Sequence, residues 1–383
     1  MTTHAIAALT AAFDKTFTSP GNGADRDRPA VVISWPSVPI EIVRAAGLRP
    51  IFVRGGATPT LAGDAHLEPE IFPSRLRHLV DAALTGRLAG VARVIVPRTS
   101  DPDYKIFLYL REFVRRRTVG SLMPPAILFD LLQSASPDVP AYDAARTRAL
   151  FDELAKVPGR QPSLDEVRQE IVRTNAARAA ARRLVALRQG RPRVSGTEVF
   201  PLLGAFWKLA PDDYTTLASE AADDIAQRLP LDSPRLLLAG APVDSPALEA
   251  AIEAHGAIVV AEVGPWGSGA AGENVATDGE PLMALADKYR RDAIGPRTPL
   301  AAMRGSISRI LDTMKVEAVV VSLPPEDTAF GWDYPGLRDL LQARRIPHIC
   351  LRGDPYQPLT PADHDGLDTL FGASVTTEEA RHA

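Results

Sequence analysis

The chain has 383 residues and a mass of 41.1 kDa, with 45% hydrophobic and 23% charged residues. Such a composition suits a globular protein of two or three domains of roughly 150 residues each, and it excludes disorder, collagen and coiled coil. Forty-three basic residues against 47 acidic ones leave a formal charge of −4, so nothing calls for nucleic acid or an anionic membrane as a partner.

The stretch 1–27 reads as a polar, frayed end. It carries Asp14 and Lys15 and no long apolar run, so no secretory signal is expected. Short apolar, β-branched runs then follow at 31–35, 50–53, 91–96 and 126–131, each stopped by Gly, Pro or Ser. Runs that are apolar on both faces are how strands inside a parallel sheet read. Helical patterns lie between them at 38–46, 73–85 and 104–117. From 141 to 229 the chain is rich in Ala, Arg, Leu and Glu and shows no strand. Ser163 with Glu166 forms a capping box that opens a helix running to about Arg188. Strand runs return at 235–239, 257–263, 318–323 and 347–351, with helical patterns at 245–255, 281–291, 300–314 and 334–343. The last residues, 376–383, read as a second frayed end.

Alternating strand and helix implies right-handed crossovers and doubly wound sheets. The expected architecture is α/β, with two Rossmann-like parallel-sheet domains, 1–140 and 230–383, joined by a helical segment, 141–229. Ligands of such sheets bind beyond the carboxyl ends of the strands. That rule selects the loops 34–39, 97–104, 132–138, 240–245, 264–272, 324–332 and 352–356 as the lining of a cleft between the halves.

Several of these loops carry candidate chemistry. Ser34 and Ser37 sit in the turn after the first strand, where Ser37 can cap the next helix and the backbone can receive an anion or a thioester oxygen; a plain capped turn reads the same way. Arg98, Thr99, Ser100, Asp101, Asp103 and Tyr104 follow the third strand. Arg98 suits phosphate or carboxylate, whereas Asp101 and Asp103 also fit a solvated helix start. Trp266 directly precedes, and Ser268 lies within, 267–272, a G-x-G-x-x-G string. No helix opens inside that string, and Asp287 falls within the later helical pattern, so a flexible loop over the cleft is expected rather than a nicotinamide site. Glu326 and Asp327 are paired carboxylates able to exchange protons if one is desolvated.

Cys350 is the one cysteine, and it falls inside a strand. One thiol makes no internal disulfide and holds no iron–sulfur cluster, and the seven scattered histidines offer no zincin pair. No metal site and no membrane span are expected, and the protein is expected to be cytoplasmic.

Several segments, taken in order, resemble the 2-hydroxyacyl-CoA dehydratase and benzoyl-CoA reductase subunits. Residues 38–50, VPIEIVRAAGLRP, resemble that family's "VPEEIIxAAGxxP". Asn175 and Arg178 match its "N-x-x-R" helix, residues 236–248 its "LLTGSPIPDPxL", Leu285 to Tyr289 its "LAxRY", and residues 346–354 its "GIPVLxLExD". The resemblance implies paired Rossmann-like domains, a heterodimer with a cysteine-containing homologous subunit, an acyl-CoA ligand, and a four-iron four-sulfur cluster fed by an ATP-dependent activator. The positions that resemblance assigns to cluster cysteines read Ser100, 131–134, 265–268 and 325–327 here, and none is cysteine.

The expectation is therefore a dehydratase-like subunit without a cluster of its own, working beside a partner that carries one. Its expected cleft comprises Ser34, Ser37, Arg98, Ser100, Tyr104, Trp266, Ser268 and Asp327. Ser37 and Arg98 would contact thioester oxygen and phosphate. The alternatives are a non-catalytic assembly homologue, or a redox-neutral lyase or hydrolase using Asp327 and Tyr104.

Overall fold

The computed structural model describes the chain except for residues 1–2, 17–26, 119–122, 158, 160, 293–297, 299, 328 and 383; for residues 300 and 372–382 it describes the backbone alone. Helix α1 (His4–Asp14) comes first. It is followed by β1 (Ala30–Ile33), α2 (Ile40–Ala45), β2 (Arg49–Phe52), α3 (Leu61–Asp64), α4 (Ser74–Leu84), β3 (Arg93–Pro97), α5 (Asp101–Arg116) and β4 (Ala126–Phe129). Four helices succeed them: α6 (Val139–Ala155), α7 (Leu164–Ala186), α8 (Gly196–Gly204) and α9 (Pro211–Ala226). The second half runs β5 (Arg235–Gly240), α10 (Ala247–Glu253), β6 (Ile258–Glu262), α11 (Pro281–Asp292), α12 (Leu300–Met314), β7 (Ala318–Ser322), α13 (Ala329–Ala343), β8 (His348–Leu351) and α14 (Pro361–His382).

The strands form two four-stranded, all-parallel sheets of the same order, β2-β1-β3-β4 and β6-β5-β7-β8. Side chains alternate across each strand, and the core divides accordingly. Val32, Val94 and Val96 face outward under α4 and α5. Leu237, Val319 and Val321 face outward with Ile307 and Leu341. Val31, Ile33 and Ile95 of the first sheet, and Leu236, Leu238 and Val320 of the second, share one inner core with residues of α1, α7, α8 and α9. The helical stretch is thus a layer against which both sheets pack.

Three local expectations are corrected. The amino-terminal stretch is not wholly frayed: α1 buries Ala5, Ile6, Leu9 and Phe13, while residues 17–26 lie outside the described residues. Its apolar spacing is helical, but the surrounding polar residues hid it. At the other end, α14 continues helical through most of 376–383. The glycine-rich string is not a flexible loop. Ser268–Ala271 is a 3-10 turn with Ala270 and Ala271 buried. The Ser268 N–H donates to Glu262, Arg188 donates to Ser268 Oγ, and Arg182 donates to the Ala271 and Gly272 carbonyls.

Candidate functional site

Strand order fixes where the site lies. In an order 2-1-3-4 the crossovers diverge between β1 and β3, and in the second sheet between β5 and β7. A crevice opens at each such switch point. A cavity of about 460 Å³ occupies the space between the two. Trp35 comes from the loop after β1, Thr99 and Ser100 from the loop after β3, and Asp101 and Pro102 from the start of α5. Ala241 to Asp244 follow β5, and Pro324, Glu326 and Asp327 follow β7, leading into Ala329 and Phe330 of α13. Pro355 and Tyr356 beyond β8 close one side. Gly240, at the end of β5, has φ +96°, and a Cβ there would collide with the Ser322 carbonyl of β7, so glycine is what lets these loops approach.

The expected loops 132–138 and 264–272, which follow the edge strands β4 and β6, contribute no wall residue. Conversely, Glu70, Ile71 and Pro73 to Arg75, ahead of and opening α4, line the cavity without having been foreseen. Nothing local marks them. Only the long β2-to-α4 connection hinted that this segment folds back over the strand ends.

Beside Ser100 the wall rests on a buried ion pair. Arg75 Nη1 lies 2.8 Å from Asp103 Oδ1, donates to the Ser34 carbonyl at 3.2 Å, and stacks over the Trp35 ring at 4.7 Å. Ser100 Oγ donates to Asp103 Oδ2 at 2.7 Å and accepts from the Asp103 N–H, capping α5. Asp103 is therefore fully buried and paired, which sets aside the solvated helix start that its sequence position also fitted.

A clasp joins the halves at the cavity edge. Asp244 accepts from the Gly55 N–H at 2.9 Å and from the Tyr356 hydroxyl at 2.5 Å. Burial, with the adjoining Asp244 carboxylate, holds the Tyr356 phenol well above its usual range, so it stays a donor. Gly55 leaves no space for a Cβ beside the Tyr356 ring. Arg54 reaches from the same turn to the Asp244 and Phe13 carbonyls and lies over the Phe13 ring at 3.8 Å.

On the β7 side, Asp327 Oδ1 accepts from the Phe330 N–H at 2.8 Å and caps α13. That cap starts α13 five residues before the predicted helical pattern, at Ala329 rather than 334, with Pro335 inside the helix and residue 328 outside the described set. Burial raises the carboxyls of both Glu326 and Asp327 above their ordinary values.

Of the residues predicted from sequence, Ser100 and Asp327 line the cavity. Arg98 and Tyr104 stack on each other at 4.8 Å, with Arg98 3.3 Å from Asp130, and neither is in the wall. Ser34 and Ser37 are buried beside Trp35, and neither hydroxyl finds a partner among the described residues. Ser37 does not cap α2; Pro39 holds that position. Trp266 is fully buried in the inner core, edge-on to Phe13 and Phe52. Ser268 is bound to Glu262 and Arg188. Burial pushes the Glu262 carboxyl up, but the Arg188 guanidinium outweighs it and leaves it below its usual range.

The motif residues Glu41, Asn175, Arg178 and Tyr289 meet away from the cavity, in a lock between α2, α7 and α11. Arg178 Nη2 donates to Glu41 Oε1 at 2.6 Å, the Tyr289 hydroxyl donates to Glu41 Oε2 at 2.9 Å, and Arg178 Nη1 donates to Asn175 Oδ1 at 3.0 Å. Asn175 also exchanges two hydrogen bonds with the backbone of Val275.

An iron–sulfur cluster does not fit this donor set. Cys350 is the chain's sole thiol, lies in β8 against the outer core rather than at the cavity, and is pushed up in pKa by burial. The loops at the strand ends offer hydroxyls and carboxylates, hard oxygen donors that do not replace four thiolates. Among the described residues, no group of three His, Cys, Asp or Glu side chains is arranged to hold a metal ion, and no helix is long and apolar enough to cross a membrane.

A family model described as 2-hydroxyglutaryl-CoA dehydratase, D-component, matches residues 37–362. Comparison with curated proteins gave no match.

Proposed function

The chain belongs to the 2-hydroxyglutaryl-CoA dehydratase D-component family, and from that membership we propose that it is the cluster-free subunit of a 2-hydroxyacyl-CoA dehydratase-type complex, holding an acyl-CoA thioester in the cavity between its sheets. The observation that carries this reading is the cavity itself, enclosed by loops from both switch points of a paired parallel-sheet fold. Its volume of about 460 Å³ suits an acyl group with part of its thiol arm, so the CoA nucleotide stays outside. Thr99 and Ser100 sit where the thioester enters, with their protons held by Asp103. Arg98, next along the same loop, is the candidate phosphate contact. Asp327 is the candidate proton-handling group, because burial already raises its carboxyl.

A low-potential electron, where the complex uses one, comes from a cysteine-bearing homologous partner, because this chain's donors cannot hold the cluster. Tyr104 stands against Arg98 and outside the wall, which favours this reading over a redox-neutral lyase pairing Tyr104 with Asp327. Calorimetric titration of the purified chain with short acyl-CoA esters tests the reading. Saturable one-to-one binding is expected. It should be abolished by A241W, which fills the cavity, and unchanged by C350S. No heat from the chain, with or without its co-expressed partner, contradicts the reading.

A further inference from the structure

The family description names a dicarboxylic acyl group, 2-hydroxyglutaryl, whose far end is a free carboxylate. A pocket built for such an end supplies an unspent cation or an open helix N-terminus. Among the described residues, the buried part of this wall supplies neither. Arg75, the one guanidinium among the described residues of its wall, is already committed to buried Asp103, to the Ser34 carbonyl and to the Trp35 ring. The start of α5 carries Asp103 in its first turn, and the start of α13 is capped by Asp327. Lys105, the other cation among the described lining residues, is exposed, as are Asp101, four residues before it on α5, and Glu70. Glu326 and Asp327 lie side by side on the half-buried β7 wall, and Trp35, Val243 and Phe330 make up much of the rest.

We infer that the cavity rejects acyl groups ending in a carboxylate and takes acyl groups that carry no negative charge, with Glu326 and Asp327 as the excluding residues. The inference rests on the acyl-CoA reading of the cavity and adds its substrate class. Bringing a third carboxylate beside these two places like charges together in a partly desolvated wall, where repulsion is stronger than in water. The isosteric amide carries no charge to be repelled there and can donate its N–H to either carboxylate.

Two thioesters differing in one group test it: glutaryl-CoA and 4-carbamoylbutyryl-CoA, titrated into the full chain at low salt. Because the CoA moiety is common to both, its contacts cancel in the ratio of dissociation constants. Glutaryl-CoA is expected to bind about tenfold more weakly or worse, and E326Q to shrink that ratio while leaving 4-carbamoylbutyryl-CoA bound, which also shows that the variant is folded. D327N, which keeps an acceptor for the Phe330 N–H, is the second variant and is expected to act in the same direction. Equal binding of the two esters, or tighter glutaryl-CoA, overturns the specificity and leaves the acyl-CoA reading standing. A tenfold ratio that neither variant moves overturns the assignment to these carboxylates. Binding of neither ester overturns the acyl-CoA reading, and the specificity falls with it.

Discussion

Glu41 and Arg178 are almost wholly excluded from solvent, and each satisfies the other's charge with Tyr289 and Asn175 completing the set. Such a pair contributes little over an apolar isostere, but stranding one member is costly. E41Q or R178M alone should lower unfolding stability by about 3–5 kcal/mol in urea denaturation, and E41L with R178M together should recover part of it. A loss below about 1 kcal/mol in either single variant contradicts this account of the lock. Lys208 gives a pH test. Burial, reinforced by the nearby Arg54 charge, lowers its pKa to about 7; its ammonium donates to the Lys15 and Phe52 carbonyls, each at 3.4 Å, and lies 5.7 Å from the Trp266 ring. The unfolded chain therefore holds this proton up to about pH 10.5 while the folded chain releases it near 7. Stability from this group rises with pH across that window, and its full penalty applies below pH 7. K208M should stabilise the protein most at pH 6 and lose that advantage by pH 10; a constant difference across the range contradicts it. The lock's members were visible in the sequence as motifs, and Asn175 and Arg178 sit three apart on one helix face. Their pairing was not, since Glu41 lies 137 positions from Arg178 and Tyr289 lies 111. Only the tertiary fold makes them neighbours.

Among the elements, the strands were legible because burial on both faces leaves continuous apolar runs such as Val319 to Val321, and no competing pattern fits so short a run between glycines and prolines. The α7 capping box was equally plain: the Glu166 N–H donates to Ser163 Oγ, and the Ser163 N–H donates to Glu166 Oε2 at 2.7 Å. Helix α1 was missed because its value lies in where it docks. Phe13 packs edge-on against Phe200 at 5.9 Å and Trp266 at 6.3 Å, under the Arg54 guanidinium. F13A should cost about 3–5 kcal/mol, as other buried Phe truncations do, and should release Arg54 from the Asp244 clasp. A change within about 0.5 kcal/mol would return α1 to the status of a loose end. Ser100 caps a 16-residue helix whose first turn forms cavity wall. S100A should cost about 1 kcal/mol of stability and weaken acyl-CoA binding, as read by a thermal melt with and without ligand. S100T should keep both.

At the scale of the whole molecule, the inner core continues from the first sheet through the helical layer into the second, and the Glu41–Arg178–Tyr289 lock and the Asp244 clasp cross the same boundary. One cooperative unfolding transition is expected by circular dichroism and by tryptophan fluorescence together; two separated transitions contradict it. The position of the cavity followed from one sequence-level rule, that ligands sit beyond strand carboxyl ends. What the rule lacked was strand order. β1 neighbours β3 and β5 neighbours β7, and the loops after these four central strands meet at the cavity, whereas Trp266 and Ser268, after β6, take packing roles. The partner proposal has its own readout: in a co-expressed complex, iron and labile sulfide should follow the cysteine-bearing chain and be absent from this one after separation. Hydrogen–deuterium exchange of the chain with and without a short neutral acyl-CoA measures directly where the acyl thioester binds. Slowed exchange at residues 99–102, 241–244 and 324–330 is predicted. Protection confined to 132–138 or 264–272, or no protection under saturating ligand, contradicts it.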